Sequence, residues 1–162
     1  MRDIEIEKIV MNIGCGTKLN PETAKTVLER LTRSKAIIIS SRKRSTFNVP
    51  KGKAIGCKVT IRKDADEFLR RLLEAKEKRL SAANFDVQGN FAFGIREYIE
   101  VPGMEYDPKI GIIGMDACVT LQRKGYSIKR KMIPRKIGRS HLITKNDAIE
   151  FVKTRFGVNI EE

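Results

Sequence analysis

Two stretches of this 162-residue chain hold lysine and arginine but no acidic residue, and together they carry 17 of its 33 cationic side chains. The remainder has 16 basic and 20 acidic residues, so the formal net charge of +13 comes from these stretches. Cations at this density repel one another unless a polyanion neutralises them, which predicts a nucleic-acid ligand. The cations are Lys35, Arg42, Lys43, Arg44, Lys51, Lys53, Lys58, Arg62 and Lys63 in residues 35–63, and Arg123, Lys124, Lys129, Arg130, Lys131, Arg135, Lys136 and Arg139 in residues 123–143.

The first stretch has the side-chain types that bind phosphate. Arginine offers paired donors to phosphate oxygens, and lysine acts as a point charge. Phe47 lies among these cations and is of a type that stacks on a base or a ribose. The alternative is a solvated basic hairpin in which Phe47 belongs to the hydrophobic core.

The second stretch is equally basic but is interrupted by Gly125, Pro134 and Gly138. It is typical of an extension that becomes ordered only against RNA. The alternative is a flexible tether to the last helix, and both descriptions are compatible. Tyr126, within this stretch, either stacks on a base or anchors the loop.

The remaining reactive side chains do not predict catalysis. The only histidine, His141, lies beside Arg139, where a phosphate contact or a residue without a role is more common than general-base chemistry. The carboxylates of the second half show no metal-ligand spacing, so we expect no metal, no cofactor and no enzyme. Cys15, Cys57 and Cys118 occur singly, which favours reduced thiols in a cytoplasmic protein. No apolar run approaches the about 20 residues of a membrane span, and the first residues do not resemble a signal peptide.

Hydrophobic periodicity predicts the elements that position these residues. Strands are predicted at 4–13, 37–41, 55–62 and 112–122, with a strand-like segment at 90–101. Helices are predicted at 21–33, 64–80 and 145–156. Asn20 before Pro21 is a good helix start, and Thr144 with Asp147 resembles a capping box. A basic loop at 42–54 joins two neighbouring strands into a hairpin, and a Pro-Gly-rich connection covers 102–111.

The order of elements predicts one α+β domain over residues 1–162, with a mostly antiparallel sheet and helices packed on one face. The other face of the sheet would carry Asn12, Lys58, Thr60, Arg62, Thr120 and Gln122. Phe91 and Phe93 superficially resemble an RNA-binding aromatic pair, but without the basic and glycine context of that motif, so a place in the core is favoured for one or both. The candidate RNA-binding residues are Asn12, Lys35, Lys58, Thr60, Arg62, Arg123, Lys129, Arg130, Lys131, Arg135, Lys136 and Arg139.

Four segments in order resemble the L-five family of large-subunit ribosomal proteins, which bind 5S ribosomal RNA. They are EKIVMNIG at 7–14, IGCKVTIR at 55–62, NFDVQGNFAFG at 84–94 and IIGMD at 112–116. The match spans nearly the whole chain. The early start of the first strand and the basic stretch before the last helix resemble the archaeal and eukaryotic branch.

The resemblance implies a structural protein of the central protuberance that docks 5S RNA against its sheet, where Asn12 and Thr60 match polar family positions. It also implies contact with large-subunit RNA, with neighbouring ribosomal proteins and, through 102–111, with a small-subunit protein. The hairpin loop of the family reaches the transfer RNA in the peptidyl site. The residues that would inherit this role are Arg42, Lys43, Arg44, Phe47, Lys51 and Lys53.

One departure from the family concerns the segment before the second strand. Many relatives have Gly-Gln-Lys-Pro there, whereas this chain has Arg33, Ser34, Lys35 and Ala36. Ser34 therefore occupies the position at which the family has a glutamine that contacts RNA. Two other classes stay open on the sequence: a nucleic-acid-processing enzyme, which needs a carboxylate or histidine cluster, and a protein bound to anionic membrane, which needs a basic amphipathic helix.

Overall fold

The protein is described by a computed structural model that covers residues 1–16, 19–44 and 49–161. An antiparallel sheet of five strands has the order β2-β3-β1-β6-β5, and β4 and β7 form a small parallel pair. The predicted α+β class with a mostly antiparallel sheet is confirmed. The elements are β1 (Ile4–Gly14), α1 (Pro21–Thr32), β2 (Ile37–Ser40), β3 (Ala54–Ile61), α2 (Ala65–Ala75), β4 (Arg79–Ser81), β5 (Phe91–Ile95), β6 (Met115–Arg123), α3 (Lys145–Phe156) and β7 (Asn159–Glu161).

The central strand β1 pairs with β3 on one side and with β6 on the other. Ile9, Met11 and Ile13 alternate along it and are almost fully buried, as their period-two spacing predicts. The pairing with β6 shifts register between Ile6 and Lys8. This bulge changes the side-chain parity, and Ile6 therefore packs against the same core as Ile9.

Helices α1 and α2 carry amphipathic patterns whose apolar faces are buried. Helix α1 starts as predicted, with the Asn20 side chain accepting a hydrogen bond from the Glu22 N–H at 3.0 Å. It ends where Arg33 adopts a left-handed conformation with φ of 51°. The buried side chains are Ala24, Val27, Leu28 and Leu31 in α1, and Ala65, Phe68, Leu69, Leu72 and Leu73 in α2.

The prediction that the second helix runs over 64–80 is wrong at its end. Helix α2 stops at Ala75, and Glu77 and Lys78 both adopt left-handed conformations with φ of 54°. The Lys78 N–H donates to the carbonyl of Leu73 at 2.8 Å, which closes the helix. Leu80 is buried, as an apolar pattern suggests, but it lies in β4. Three-residue strands such as β4 and β7 are too short for periodicity to reveal.

The strand-like segment 90–101 is also shorter than predicted. Strand β5 ends at Ile95, and a 3₁₀ turn follows at Tyr98–Glu100. The Tyr98 side chain is buried, and its hydroxyl accepts a hydrogen bond from the Asp107 N–H at 3.0 Å. Strand β6 begins at Met115 rather than at 112. Its predicted alternation is confirmed, because Met115, Ala117, Val119 and Leu121 are all buried.

The last helix, α3, has the predicted bounds and the predicted cap. The Thr144 hydroxyl accepts from the Asp147 N–H at 3.3 Å, and the Asp147 carboxylate accepts from the Thr144 N–H at 3.1 Å. This capping box satisfies two backbone donors at the helix start. Val152 and Phe156 are buried on the inner face, whereas Ile149 is half-buried.

The turn before β5 explains the glycine of the NFDVQGNF segment. The Asp86 carboxylate accepts hydrogen bonds from the backbone and the side chain of Asn90, at 2.7 and 3.0 Å. Gly89 has φ of +77°, and a Cβ added there would collide with Cγ2 of Ile143. Both the conformation and the close approach of Ile143 therefore require glycine.

We expect Gly89→Ala to lower the free energy of unfolding by about 2 kcal/mol or more, since it combines a strained φ with overpacking. Urea unfolding followed by circular dichroism measures the change. Gly138→Ala is the matched control, because a Cβ at Gly138 meets no atom within 4 Å and its φ is −59°. Equal stability of the two variants would contradict the assignment.

Candidate nucleic-acid interface

The face of the sheet opposite the buried side chains brings several predicted residues together. Asn12 on β1 lies opposite Lys58 on β3, and Val10 lies opposite Thr60. Lys58 and Thr60 are exposed, Asn12 is half-buried, and Arg62 is exposed just beyond β3. We call this surface the open face. Its polar rows offer donors and acceptors on a rigid scaffold.

The open face is not uniformly basic. Asp116 on β6 lies opposite Asn12 and is exposed. Val10, Cys118 and Ala92 place small or apolar side chains between the polar ones. Such a surface suits RNA by shape and hydrogen bonding as well as by charge.

The described residues of the basic loop, 42–44 and 49–53, lie between β2 and β3, which pair antiparallel. The Ser41 N–H donates to the Lys53 carbonyl and the Gly52 N–H donates to the Ser41 carbonyl, both at 2.8 Å, and these bonds close the stem. Among the described residues of the loop, the cations are exposed and none forms an ion pair with a carboxylate; they are Arg42, Lys43, Arg44, Lys51 and Lys53. Phe47 lies outside the described residues.

Residues 123–143, the basic extension, are held at both ends by Tyr126 and His141. The Tyr126 hydroxyl donates to the His141 carbonyl and accepts from the Ile143 N–H, each at 3.0 Å. The two rings meet edge to face at 5.7 Å, and His141 Nε2 lies 2.9 Å from the Lys124 carbonyl. The hydroxyl of Tyr126 therefore anchors the extension, and His141 lies in a structural contact.

Three of the eight cations in the extension are neutralised by acids from other elements. Arg123 lies 3.1 Å from Asp147, and its side chain is only 12% exposed. Lys124 lies 3.6 Å from Glu5, and Arg130 lies 2.6 Å from Glu7. Arg123 and Arg130 were predicted as RNA contacts, but these partners also give them a structural role. The sequence did not reveal the pairs, because the acids lie outside the stretch, in β1 and α3.

The other cations of the extension are exposed to solvent: Lys129, Lys131, Arg135, Lys136 and Arg139. Between them, Met132 is 98% exposed and Ile133 is 75% exposed. The extension therefore presents an apolar tip flanked by cations. Lys35, the remaining predicted RNA contact, is exposed just before β2.

A cavity of about 680 Å³ lies between the extension and the end of the sheet. Its lining includes side chains that the sequence did not single out for binding, such as Lys8 of β1 and Val87 of the turn before β5. Lys129, Arg130 and Arg139 contribute cations, and Leu121, Tyr126, Ile137, Leu142 and Ile143 contribute apolar or aromatic surface. No sequence signal identifies this cavity, since its walls come from four distant segments.

The aromatic pair of β5 belongs to the core, as favoured from the sequence. Phe91 and Phe93 are 3% and 4% exposed. Phe91 stacks on Phe85 at 5.1 Å and on Phe93 at 6.3 Å, which leaves these rings unavailable to a nucleobase. Base stacking by this pair is therefore excluded.

The cysteines and carboxylates show no catalytic arrangement in the described part of the chain. Burial raises the pKa of the Cys57 thiol to about 11, and burial also raises that of Cys15, so both thiols stay protonated at neutral pH. The Cys57 thiol donates to the Pro21 carbonyl at 2.9 Å. Within residues 1–16, 19–44 and 49–161, no three His, Cys, Asp or Glu side chains come together to hold a metal, and no helix is long and apolar enough to cross a membrane.

The connection 102–111 is held against α1. Asp107 and Arg30 form an ion pair at 3.0 Å, and the hydrogen bond from Arg30 keeps the pKa of Asp107 below its ordinary value of 3.8. Tyr106 beside it is 56% exposed, and Ile112 just beyond the connection is 67% exposed. The connection therefore presents apolar surface from a fixed position.

Comparison of the sequence with known proteins finds one family of similar proteins. The model of the C-terminus of the ribosomal L-five protein family matches residues 54–151. The large ribosomal subunit protein uL5 of Cenarchaeum symbiosum is 46% identical over 99% of this chain and 97% of its own length. The proteins of the same name from Methanococcoides burtonii and Sulfolobus acidocaldarius are 43% and 42% identical over 99% and 100% of this chain, and over 98% and 93% of their own lengths.

We expect Asp147→Asn to lower the free energy of unfolding by about 1 kcal/mol at neutral pH, because it weakens the capping box and the pair with Arg123 while the carboxylate is partly solvated. The Thr144 N–H, followed by the Thr144 hydroxyl and the Arg123 guanidinium, lowers the pKa of Asp147 below its ordinary 3.8. The wild-type advantage should therefore be complete above pH 3.8 and vanish as the pH falls through the lower folded pKa.

Urea unfolding at several pH values measures this difference. Glu150→Gln on the same helix is the control, since Glu150 is exposed and the substitution removes the same charge. A wild-type advantage over Asp147→Asn that stays constant down to the most acidic pH at which the protein folds would contradict the assignment.

Proposed function

Because this chain belongs to the uL5 family of large ribosomal subunit proteins, we propose that it binds 5S ribosomal RNA and large-subunit RNA in the central protuberance and contacts the transfer RNA of the peptidyl site. As a member of that family it is a structural constituent of the large subunit and not an enzyme. Its place in the cell is therefore the ribosome, with ribosomal RNA and other ribosomal proteins as its partners.

One observation carries the RNA-binding proposal: the exposed cations of two surfaces have no acidic partner among the described residues. The basic loop has five such cations, and the basic extension adds Lys129, Lys131, Arg135, Lys136 and Arg139. The acids of β1 and α3 neutralise only Arg123, Lys124 and Arg130 of the extension. The remaining positive charge is positioned for phosphates.

We assign the 5S RNA to the open face and the extension. Asn12, Lys58, Thr60 and Arg62 supply hydrogen-bond donors, acceptors and charge on one rigid surface. The exposed tip at Met132 and Ile133 supports this assignment, because such large apolar side chains gain free energy when an assembly covers them.

The basic loop serves the transfer RNA in this proposal. Arg42, Lys43, Arg44, Lys51 and Lys53 lie at or beyond the end of the hairpin stem, apart from the polar rows of the open face, and Phe47 belongs to the same loop. Individually exposed cations give weak contacts, which suits a ligand that must move during translation. The connection 102–111, with Tyr106 exposed, is the proposed contact to a small-subunit protein.

The decisive experiment compares binding of 5S RNA with binding of an unrelated folded RNA of similar length. Filter binding across a salt series measures both affinity and its salt dependence. We expect preference for 5S RNA, and a loss of on the order of 10³ to 10⁵ in affinity for a fourfold rise in salt if about eight phosphates are engaged. Equal affinity for both RNAs would refute the proposal, and tight binding to anionic vesicles instead would identify a membrane protein.

We expect Lys131→Ala with Lys136→Ala to reduce the salt-dependence slope by about 2, since each cation contacts one phosphate. The matched control is Lys78→Ala with Lys153→Ala, two exposed lysines outside both basic stretches. Filter binding with 5S RNA measures the slope. A control pair that changes the slope as much as the extension pair would contradict the assignment of RNA to the extension.

We expect Arg42→Ala, Lys43→Ala and Arg44→Ala together to leave 5S RNA affinity within about threefold and to weaken transfer-RNA binding by reconstituted ribosomes about tenfold, because three weak charge contacts are lost. Filter binding and peptidyl-site occupancy are the two measurements. An equal loss of 5S RNA affinity and of transfer-RNA binding would contradict the assignment of transfer RNA to the loop and of 5S RNA to the open face.

A further inference from the structure

The cavity beneath the basic extension has the size and lining of a ligand site. Its volume of about 680 Å³ lies within the range of about 300 to 1,000 Å³ that is usual for pockets that enclose small ligands. Its inner wall is apolar, with Leu121 of β6 and Ile143 before α3, and its rim carries Lys8, Lys129 and Arg139. A flat apolar group with an attached anion matches this division.

The ring of Tyr126 is fixed in this wall. Its hydroxyl has a donor partner and an acceptor partner, the Ile143 N–H and the His141 carbonyl, each at 3.0 Å. Tyr126 is half-buried and is one of the residues that line the cavity. A ring that is already held in place loses little side-chain entropy when a base stacks on it.

The acid at the rim is already neutralised. Glu7 forms ion pairs with Arg130 at 2.6 Å and with Lys8 at 3.5 Å. It therefore does not repel a phosphate, and its carboxylate can accept a hydrogen bond from an exocyclic amino group or a ribose hydroxyl. Glu7 and Lys8 lie at the register shift of β1, and both line the cavity.

We propose that this cavity receives one unstacked nucleotide of the RNA on the open face, with its base on Tyr126 and its phosphate at Lys129 and Arg139. This inference rests on the proposed 5S RNA binding and adds a base-stacking site to it. A nucleotide within a strand fits better than a free nucleotide, because the exposed Lys131 and Lys136 are neighbours in sequence of the lining residues Arg130 and Ile137 and are available to adjacent phosphates. Lys8 and Thr120 join the cavity to the open face.

The test compares Tyr126→Leu with Tyr126→Phe. Both variants lose the two hydrogen bonds of the hydroxyl, but only phenylalanine keeps an aromatic ring. With 5S RNA as the probe, we expect Tyr126→Leu to bind about tenfold more weakly than Tyr126→Phe, with an unchanged salt slope. Equal affinity of the two variants would overturn the inference.

A second measurement does not depend on the folding of any variant. Ultraviolet crosslinking of the wild-type chain to 5S RNA, followed by peptide mass spectrometry, should yield a nucleotide adduct on Tyr126 and none on Tyr106, which is exposed outside the cavity. Adducts elsewhere but none on Tyr126 would overturn the inference while RNA binding stood. Failure of the wild-type chain to bind 5S RNA would overturn the proposed function and this inference together.

Discussion

The pairing of β1 with both β3 and β6 is the constraint on which the rest of the structure depends. One side of this strand is buried under the helices through Ile9, Met11 and Ile13, and the other side forms the middle of the open face. A register slip of one residue would exchange the two sides. Along the β1–β6 pairing, the side-chain parity changes at the bulge between Ile6 and Lys8. As a result, Glu7 lies in the lining of the cavity beneath the basic extension.

Electrostatics then divides the basic extension into two parts. One part is attached to the rest of the protein by the ion pairs Arg123–Asp147 and Arg130–Glu7. The hydroxyl of Tyr126 connects the two ends of the extension by hydrogen bonds. Its middle presents cations and an apolar tip at Met132 and Ile133 without an acidic partner in the described part of the chain. Because ion pairs attach only one part of the extension to the acidic body, the cations of the other part stay exposed and available to a polyanion.

Much of the fold could be predicted because it rests on local physics. Asn20 and Thr144 mark helix starts through side-chain hydrogen bonds within three residues, and the alternation of β1, β3 and β6 follows from a half-buried strand. The end of α2 was not predicted, since two left-handed residues interrupt a continuing apolar pattern. Strands β4 and β7 pair over three residues each, and only their distant contact defines them.

The sequence by itself determined the class of ligand, the helix starts and the two faces of the sheet, because charge and periodicity are properties of neighbouring residues. It also favoured a core position for Phe91, Phe93 or both, and both are buried. Only the tertiary structure decided which cations are neutralised and where a cavity forms. The partners of Arg123 and Arg130 lie in α3 and β1, and the cavity walls come from segments far apart in the chain. Such contacts exist only once the chain has folded, since nothing local in the sequence encodes them.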